Sequence, residues 1–92
     1  MHDTHLVASS GVRASISTDG LVLLDLDGGL VLSSNVVGGR IWQLVEQRRT
    51  PREIARQVAA EYDVSEARAH ADVAAFIAAL VARGLLAEEP RP

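Results

Sequence analysis

The side chains that could carry out chemistry are few in this 92-residue chain, and they are far apart in the sequence. The histidines are His2, His5 and His70, and the last is two positions from Asp72, so these two would not share a helix face. A metal site needs three or four converging ligands. The chain has no cysteine, which excludes thiolate zinc sites, disulfides and cysteine nucleophiles. We predict no metal site and no cofactor.

Catalysis by the remaining polar residues is not indicated either. Ser33 and Ser34 have no base placed to activate them, and no glycine-rich phosphate loop connects a strand to a helix. Asp25 and Asp27 form a carboxylate pair, but they flank a predicted turn, where aspartate is favoured for its local hydrogen bonds. We predict that the protein is not an enzyme.

Charge and hydropathy narrow the function further. The nine basic residues are outweighed by twelve aspartates and glutamates, and a net charge of −3 argues against a nucleic-acid partner. No apolar run approaches the roughly 20 residues of a membrane span. The first residues lack the charged and apolar regions of a signal peptide. We expect a cytoplasmic protein without membrane contact.

The elements that would position these residues begin with strands. Residues 21–34 contain two apolar runs separated by Asp27-Gly28-Gly29, and Asp-Gly supplies the positive φ angles of a tight hairpin turn. Residues 12–18 alternate between apolar and polar side chains, which predicts a half-buried strand. Asp19-Gly20 is a second turn signal. A three-stranded antiparallel meander follows, ending near Ser34.

Three helices come next, each with a capping residue. Asn35 caps a helix over residues 37–47, and we assign Trp42 on it to the core rather than to a ligand platform. Thr50-Pro51-Arg52-Glu53 is a capping box that starts a second helix, which runs to about residue 61. Ser65 caps the longest helix, residues 66–83, and Gly84 ends it.

This order predicts an α+β fold of the winged helix-turn-helix type, with a three-stranded antiparallel sheet followed by three helices. We expect a flexible N-terminal segment over residues 1–10, although it has some strand-like character. One domain should occupy residues 11–87, and a polar tail residues 88–92.

A winged helix also allows DNA binding, which is the main alternative. On the third helix, however, Arg68 and Arg83 are balanced by Glu66 and Asp72, whereas a recognition helix normally carries an excess of basic residues. A module for subunit interaction without peptide specificity is a third possibility.

Several short motifs follow one another in a fixed order and spacing over residues 21–86. They are Leu24-Asp25-Leu26-Asp27-Gly28-Gly29, Ser34-Asn35, Gly39-Arg40-Ile41-Trp42, Thr50-Pro51-Arg52-Glu53-Ile54, Glu61-Tyr62-Asp63-Val64, Asp72-Val73, Phe76, Leu80 and Arg83-Gly84-Leu85-Leu86. Taken together they resemble the PqqD family, and most closely its stand-alone members that accompany lasso-peptide leader peptidases. Two departures are the wholly aliphatic Leu30-Val31-Leu32, where the family usually has an aromatic residue, and Val36-Val37-Gly38, where it often has Pro-Thr-Gly.

The resemblance implies a recognition element for ribosomally synthesised, post-translationally modified peptides. Such domains bind the leader segment of a precursor, here a lasso-peptide precursor, and deliver it to a processing enzyme. The resemblance also implies that the partner is a leader peptidase of the cysteine-protease type, with a radical enzyme of the PqqD-partner kind as the alternative. Because this chain has no cysteine, the protease activity must reside on a separate chain.

The predicted binding mode is strand addition, in which the leader pairs with the second hairpin strand and its side chains enter a groove beside the third helix. Asp72 and Arg68 would face charges on the leader or only solvent. Val73 and Leu80 should serve mainly the core, with partial exposure at the groove floor. The candidate binding residues are Leu30, Val31, Leu32, Ser33, Ser34, Arg68, Asp72, Val73, Ala75, Phe76, Ala79 and Leu80.

Overall fold

Eight helices and strands make up residues 5–89, the part of the chain that the structure, a computed structural model, describes. In chain order they are β1 (Leu6–Ala8), β2 (Val12–Ser17), β3 (Gly20–Asp25), β4 (Val31–Ser34), α1 (Val36–Glu46), α2 (Pro51–Tyr62), α3 (Glu66–Ala82) and β5 (Leu86–Glu88). The α+β class and the order of three meander strands before three helices are confirmed.

The main sheet is antiparallel, with strand order β2-β3-β4. The predicted turn at Asp19-Gly20 is present but begins one residue earlier: Ser17 pairs with Gly20, so Thr18 and Asp19 form a two-residue turn and Gly20 starts β3. The second turn is wider than predicted, because Leu24 pairs with Val31 and the residues between them loop out. Its positive φ angle belongs to Gly29 (71°) rather than to Gly28. Because β3 is the central strand, the sheet has two outer strands, β2 and β4.

The helix starts follow the predicted capping chemistry. The Gly38 N–H donates to Asn35 Oδ1 at 2.9 Å at the start of α1. Thr50 and Glu53 form the reciprocal capping box of α2. The Arg68 N–H donates to Ser65 Oγ at 3.1 Å at the start of α3. Each cap satisfies a backbone donor that lacks an intrahelical partner, which fixes where the helix begins.

The core is aliphatic around one tryptophan. Trp42 is 1% exposed, which confirms that it belongs to the core. The inward face of β3 and the three helices meet around it, and Leu85 and Leu86 fold back onto them as predicted. The buried apolar residues are Leu6, Val12, Leu21, Leu23, Ile41, Trp42, Leu44, Val45, Ile54, Ala55, Val58, Ala59, Ala69, Val73, Leu80, Leu85 and Leu86.

A second, two-stranded sheet joins β1 to β5, with Leu6 opposite Glu88 and Ala8 opposite Leu86. Within residues 1–10, predicted to be flexible with some strand-like character, Leu6–Ala8 form a paired strand, and Glu88, predicted to begin the polar tail, ends β5. Leu6 is 3% exposed, so burial of its side chain fixes this strand in place. Residues 1–4 and 90–92, which belong to these two predicted end segments, lie outside the described residues.

Within residues 5–89, no helix combines the length and the apolar character needed to cross a membrane.

Candidate peptide-binding site

The outer edge of β4 exposes main-chain groups that no described residue pairs with. The Asp25 N–H donates to the Leu30 carbonyl at 2.8 Å, so Asp25 points its main-chain groups toward the β4 side. Because these directions alternate along a strand, Leu23 and Leu21 also point toward β4, where they face Leu32 and Ser34. The N–H and C=O groups of the intervening residues 31 and 33 therefore point away from the sheet.

The side chains of β4 alternate between the two faces of the sheet. Leu32 and Ser34 lie opposite buried residues of β3 and point inward, where both are half-buried. Val31 and Ser33 point outward and are exposed, Val31 by 60%. An added strand would follow the same alternation, so every second side chain of it would point inward, toward the helices.

A cavity of about 240 Å³ lies at the C-terminal end of β4. The end of the strand, the first turns of α1 and the middle of α3 enclose it. Its floor is apolar and its rim carries one carboxylate, that of Asp72. The lining residues are Ser34, Asn35, Val37, Gly38, Ile41, Asp72 and Phe76.

Gly38 allows the three elements to meet at this cavity. A Cβ atom at this position would lie 2.9 Å from Ser34 Cβ and 3.2 Å from Phe76 Cε1, closer than side-chain carbons normally approach. An alanine here would therefore require Ser34 or the Phe76 ring to shift. The neighbouring Gly39 is different, since its nearest atom would be Ile16 Cγ2 at 3.5 Å.

The charged groups near the groove are Asp72 and Arg68. Arg68 Nε lies 3.4 Å from Asp72 Oδ2, and both side chains are mostly exposed, by 72% and 60%. An exposed pair at this distance contributes little to stability. The Asp72 carboxylate is therefore available to a hydrogen-bond donor entering the cavity.

The relative position of α1 and α2 depends on a bidentate ion pair. Arg40 donates from Nε and Nη2 to the two carboxylate oxygens of Glu61, at 2.9 and 2.8 Å. Gln57 Nε2 also donates to Glu61, at 2.6 Å. The hydrogen bond from Arg40, and then that from Gln57, lower the pKa of Glu61 below its ordinary value. The ion pair thus links α2 to α1, the helix that supplies part of the cavity lining.

The structure brings four of the predicted residues to the groove and moves others away from it. Leu32, Ser34, Asp72 and Phe76 face the groove or line its cavity. The predicted partial exposure of Val73 and Leu80 is wrong, since each is 1% exposed and packs in the core. Leu30 is half-buried and packs against the core at the start of β4. Three other predicted residues, Arg68, Ala75 and Ala79, are exposed but do not line the cavity. The last two, Val31 and Ser33, contribute main-chain groups at the strand edge.

The sequence prediction missed the contribution of α1. Val37, Gly38 and Ile41 line the cavity, and Asn35 caps the helix at its edge. The available signal was the glycine pair Gly38-Gly39 in the first turn of the helix, which suggested close packing but not what packs there.

Among the described residues, no three histidine, aspartate or glutamate side chains come close enough together to hold a metal ion.

Two solved structures of known proteins have the same fold. The structure of TbiB1 in complex with the TbiA(beta) leader peptide matches with a TM-score of 0.81 and 33% identity, over 91% of this chain and 98% of that one. A lasso peptide synthetase B1 complexed with its leader peptide matches with a TM-score of 0.82, over 90% and 98% of the two chains. At 24% identity, the second match speaks for the fold alone. No curated protein matches the sequence.

Fold and site together define a small winged-helix-like domain with an open strand edge above a partly apolar cavity. The sequence profile of coenzyme PQQ synthesis protein D, PqqD, matches residues 20–86. The chain belongs to the PqqD family.

Proposed function

We propose that this protein binds the leader segment of a lasso-peptide precursor by strand addition to β4. The observation that carries the proposal is the unpaired β4 edge, with a cavity directly beneath its end. TbiB1, which has the same fold and is 33% identical, has a solved structure in complex with a leader peptide, and this supports the proposal that the present protein binds a leader. The winged-helix DNA-binding alternative is not favoured.

The main chain of the leader pairs with residues 31 and 33. These residues offer two N–H and two C=O groups to an extended segment, and each hydrogen bond formed contributes about 0.5–1.5 kcal/mol. Leader side chains that point inward meet Leu32, Phe76 and the cavity, and each large apolar one adds about 1.5–3 kcal/mol. After the cost of ordering the leader, binding in the micromolar range or tighter, about −8 kcal/mol or better, is expected.

Substituting proline at residue 33 tests strand addition directly. Ser33→Pro removes an N–H that points away from β3, so the fold keeps its own hydrogen bonds while the leader loses one and meets the proline ring. The probe is the synthetic leader peptide of the cognate precursor, titrated by calorimetry. We expect about a tenfold or greater loss of affinity for Ser33→Pro.

Ser33→Ala is the matched control, since it keeps the N–H and removes only an exposed hydroxyl. It should stay within about twofold of wild type. Leu32→Asp and Phe76→Ala, which alter the groove without touching the outer main-chain groups, should also weaken binding. Unchanged affinity in folded Ser33→Pro, or no binding of the cognate leader by wild type, would refute the proposal.

We further propose that the protein has no catalytic activity of its own and delivers the leader to a peptidase on a separate chain. Its cytoplasmic location stays a prediction. The outward face of the sheet supports a second partner, because Val22, Leu24 and Val31 expose 46%, 37% and 60% of their surface there. A leader added beside β4 would extend this apolar face with its own outward side chains. The peptidase would thus contact protein and leader together.

Delivery is tested by removing apolar surface that the leader does not touch. Val22→Ser with Leu24→Ser alters only the outward face of β3, so leader affinity should stay within about twofold while leader cleavage in a reconstituted mixture falls by about tenfold or more. Val81→Ser, on an equally exposed valine of α3, is the control. Cleavage unaffected by the β3 double substitution would exclude this face as the docking surface.

A further inference from the structure

The outward face of α2 carries a concentration of positive charge in an otherwise acidic protein. Arg52 and Arg56 are exposed and one turn apart, and Arg49 lies just before the helix on the same side. The whole chain has a net charge of −3. This surface, which we call the α2 arginine face, therefore carries positive charge although the molecule as a whole is negative.

None of these three arginines has an acidic partner within ion-pair distance among residues 5–89. The ion pairs of the described residues use Arg40, Arg48 and Arg68 instead. Glu53 lies on the same face, but its carboxylate accepts the Thr50 N–H at 2.9 Å as part of the helix cap. That hydrogen bond from Thr50 lowers the pKa of Glu53, so it is ionised and offsets part of the charge. The face remains positive.

The α2 arginine face is concave along the helix. One depression of about 240 Å³ is lined by residues that include Arg49, Arg56 and Ala60. A second, of about 330 Å³, is lined by residues that include Arg56, Ala60 and Val64. The two depressions adjoin at Arg56 and Ala60, which line both, and we refer to them together as the channel; Arg49 and Arg56 make one end of it basic. The other end is apolar, with Val64 exposed by 39%, although Glu66 borders it.

We propose that this channel binds an acidic segment of a second protein, with carboxylates at the arginine end and an apolar residue near Val64. Charge complementarity determines the kind of partner, since unpaired guanidinium groups form strong bidentate hydrogen bonds with carboxylates. The small side chain of Ala60 lets a peptide main chain approach the helix. A polypeptide suits the channel better than DNA, because the apolar end near Val64 can receive a side chain, whereas a DNA duplex presents only charged phosphates to it.

The channel is separate from the leader site, so both can be occupied at once. The α2 helix packs mainly on α1 and α3, whereas the leader edge is on the far strand of the sheet. A protein bound here would not compete with the leader. The inference thus goes beyond the proposed function and does not depend on it.

The test uses oligoglutamate as the probe and monitors the amide and arginine side-chain signals of the full chain by NMR. We expect saturable shifts at Arg49, Arg52, Arg56 and Ala60 that weaken as salt is raised. Arg49→Glu with Arg56→Glu reverses the charge of the two arginines that line the channel, and should weaken binding about tenfold or more, while leader affinity stays within about twofold. Oligoglutamine of the same length should not bind.

The matched control carries the same change in net charge elsewhere, Arg13→Glu with Arg83→Glu, and should bind oligoglutamate within about twofold of wild type. Circular dichroism confirms that each variant is folded. Absence of oligoglutamate binding, equal weakening by the control, or tighter binding of a short DNA duplex would each overturn the proposal.

Discussion

Residue 38 shows how a missing side chain positions the candidate site. Ser34 on β4 and Phe76 on α3 both come against the bare main chain of α1 at this point. The glycine lowers the intrinsic stability of the helix by about 1 kcal/mol relative to alanine. The close approach it permits brings strand, aromatic ring and helix into one cavity.

Gly38→Ala should destabilise the protein by about 1–2 kcal/mol in spite of the better helix former, because Ser34 and Phe76 must move apart. Leader affinity should fall as well. Gly39→Ala is the control, since its Cβ would meet only ordinary contacts at 3.5 Å and beyond. That substitution should be neutral or stabilising by up to about 1 kcal/mol. Denaturant titration measures both, and a Gly38→Ala protein as stable as Gly39→Ala would contradict the argument.

At this scale the sequence predicts residue environments well where the pattern is local. Asn35, Thr50 and Ser65 cap the helices as their types indicate, and Trp42 is in the core. It predicts less well where two elements meet. Whether Val73 faces a groove or the core depends on the rotation of α3 about its axis by a fraction of a turn, which apolar spacing alone does not determine.

Among the helices, the Arg40–Glu61 ion pair is the main polar link between α1 and α2. Its two side chains are 28% and 30% exposed, and the bidentate geometry is close to ideal. Because the pKa of Glu61 is lowered in the folded state, its contribution to stability is present above the ordinary glutamate pKa of about 4.3 and is lost as pH falls through the lower, folded value.

Glu61→Gln should therefore cost about 1 kcal/mol near pH 7, and this difference from wild type should shrink as the pH is lowered below about 4. Denaturant titration across that range measures it. Asp72→Asn, which alters the exposed pair with Arg68, should cost almost nothing at either pH. A Glu61→Gln deficit that stays constant with pH would show that charge is not the source of the stabilisation.

Elements with strong end signals were predictable to within one or two residues, and those without them were not. The three helices and the two meander turns all have capping or turn residues in the sequence. The strands β1 and β5 have three residues each, too few to show a periodic pattern. They form only because the two ends of the chain meet in space, which is not a local property.

At the scale of the whole molecule, the pairing of β1 with β5 joins the first and the last strand that the structure describes. Leu6 on β1 reaches the same core as Leu86 on β5, and Ser9 donates from its N–H to the Leu85 carbonyl at 3.0 Å. The main sheet, by contrast, is left open at β4. The fold thus pairs its end strands with each other and leaves free the edge that we assign to the leader.

Leu6→Ala should destabilise the protein by about 2–3 kcal/mol, because it leaves a cavity between the end strands and the core. Unfolding in urea should remain a single transition at a lower midpoint. Val7→Ala, at a half-buried position of the same strand, is the control and should cost less than about 1 kcal/mol. Equal effects of the two substitutions would mean that β1 is not part of the cooperative core.

The pairing of β1 with β5 also makes the chain suitable for circular permutation. The Glu89 N–H donates to the His5 carbonyl at 2.8 Å, so a short linker joining residue 89 to residue 5 would span little distance. New ends opened in the two-residue turn between β2 and β3 would leave the β4 edge, the cavity and all three helices intact. Such a permutant would have no chain end beside the β1–β5 pair. It would offer a new attachment point for a fused enzyme at the turn between β2 and β3.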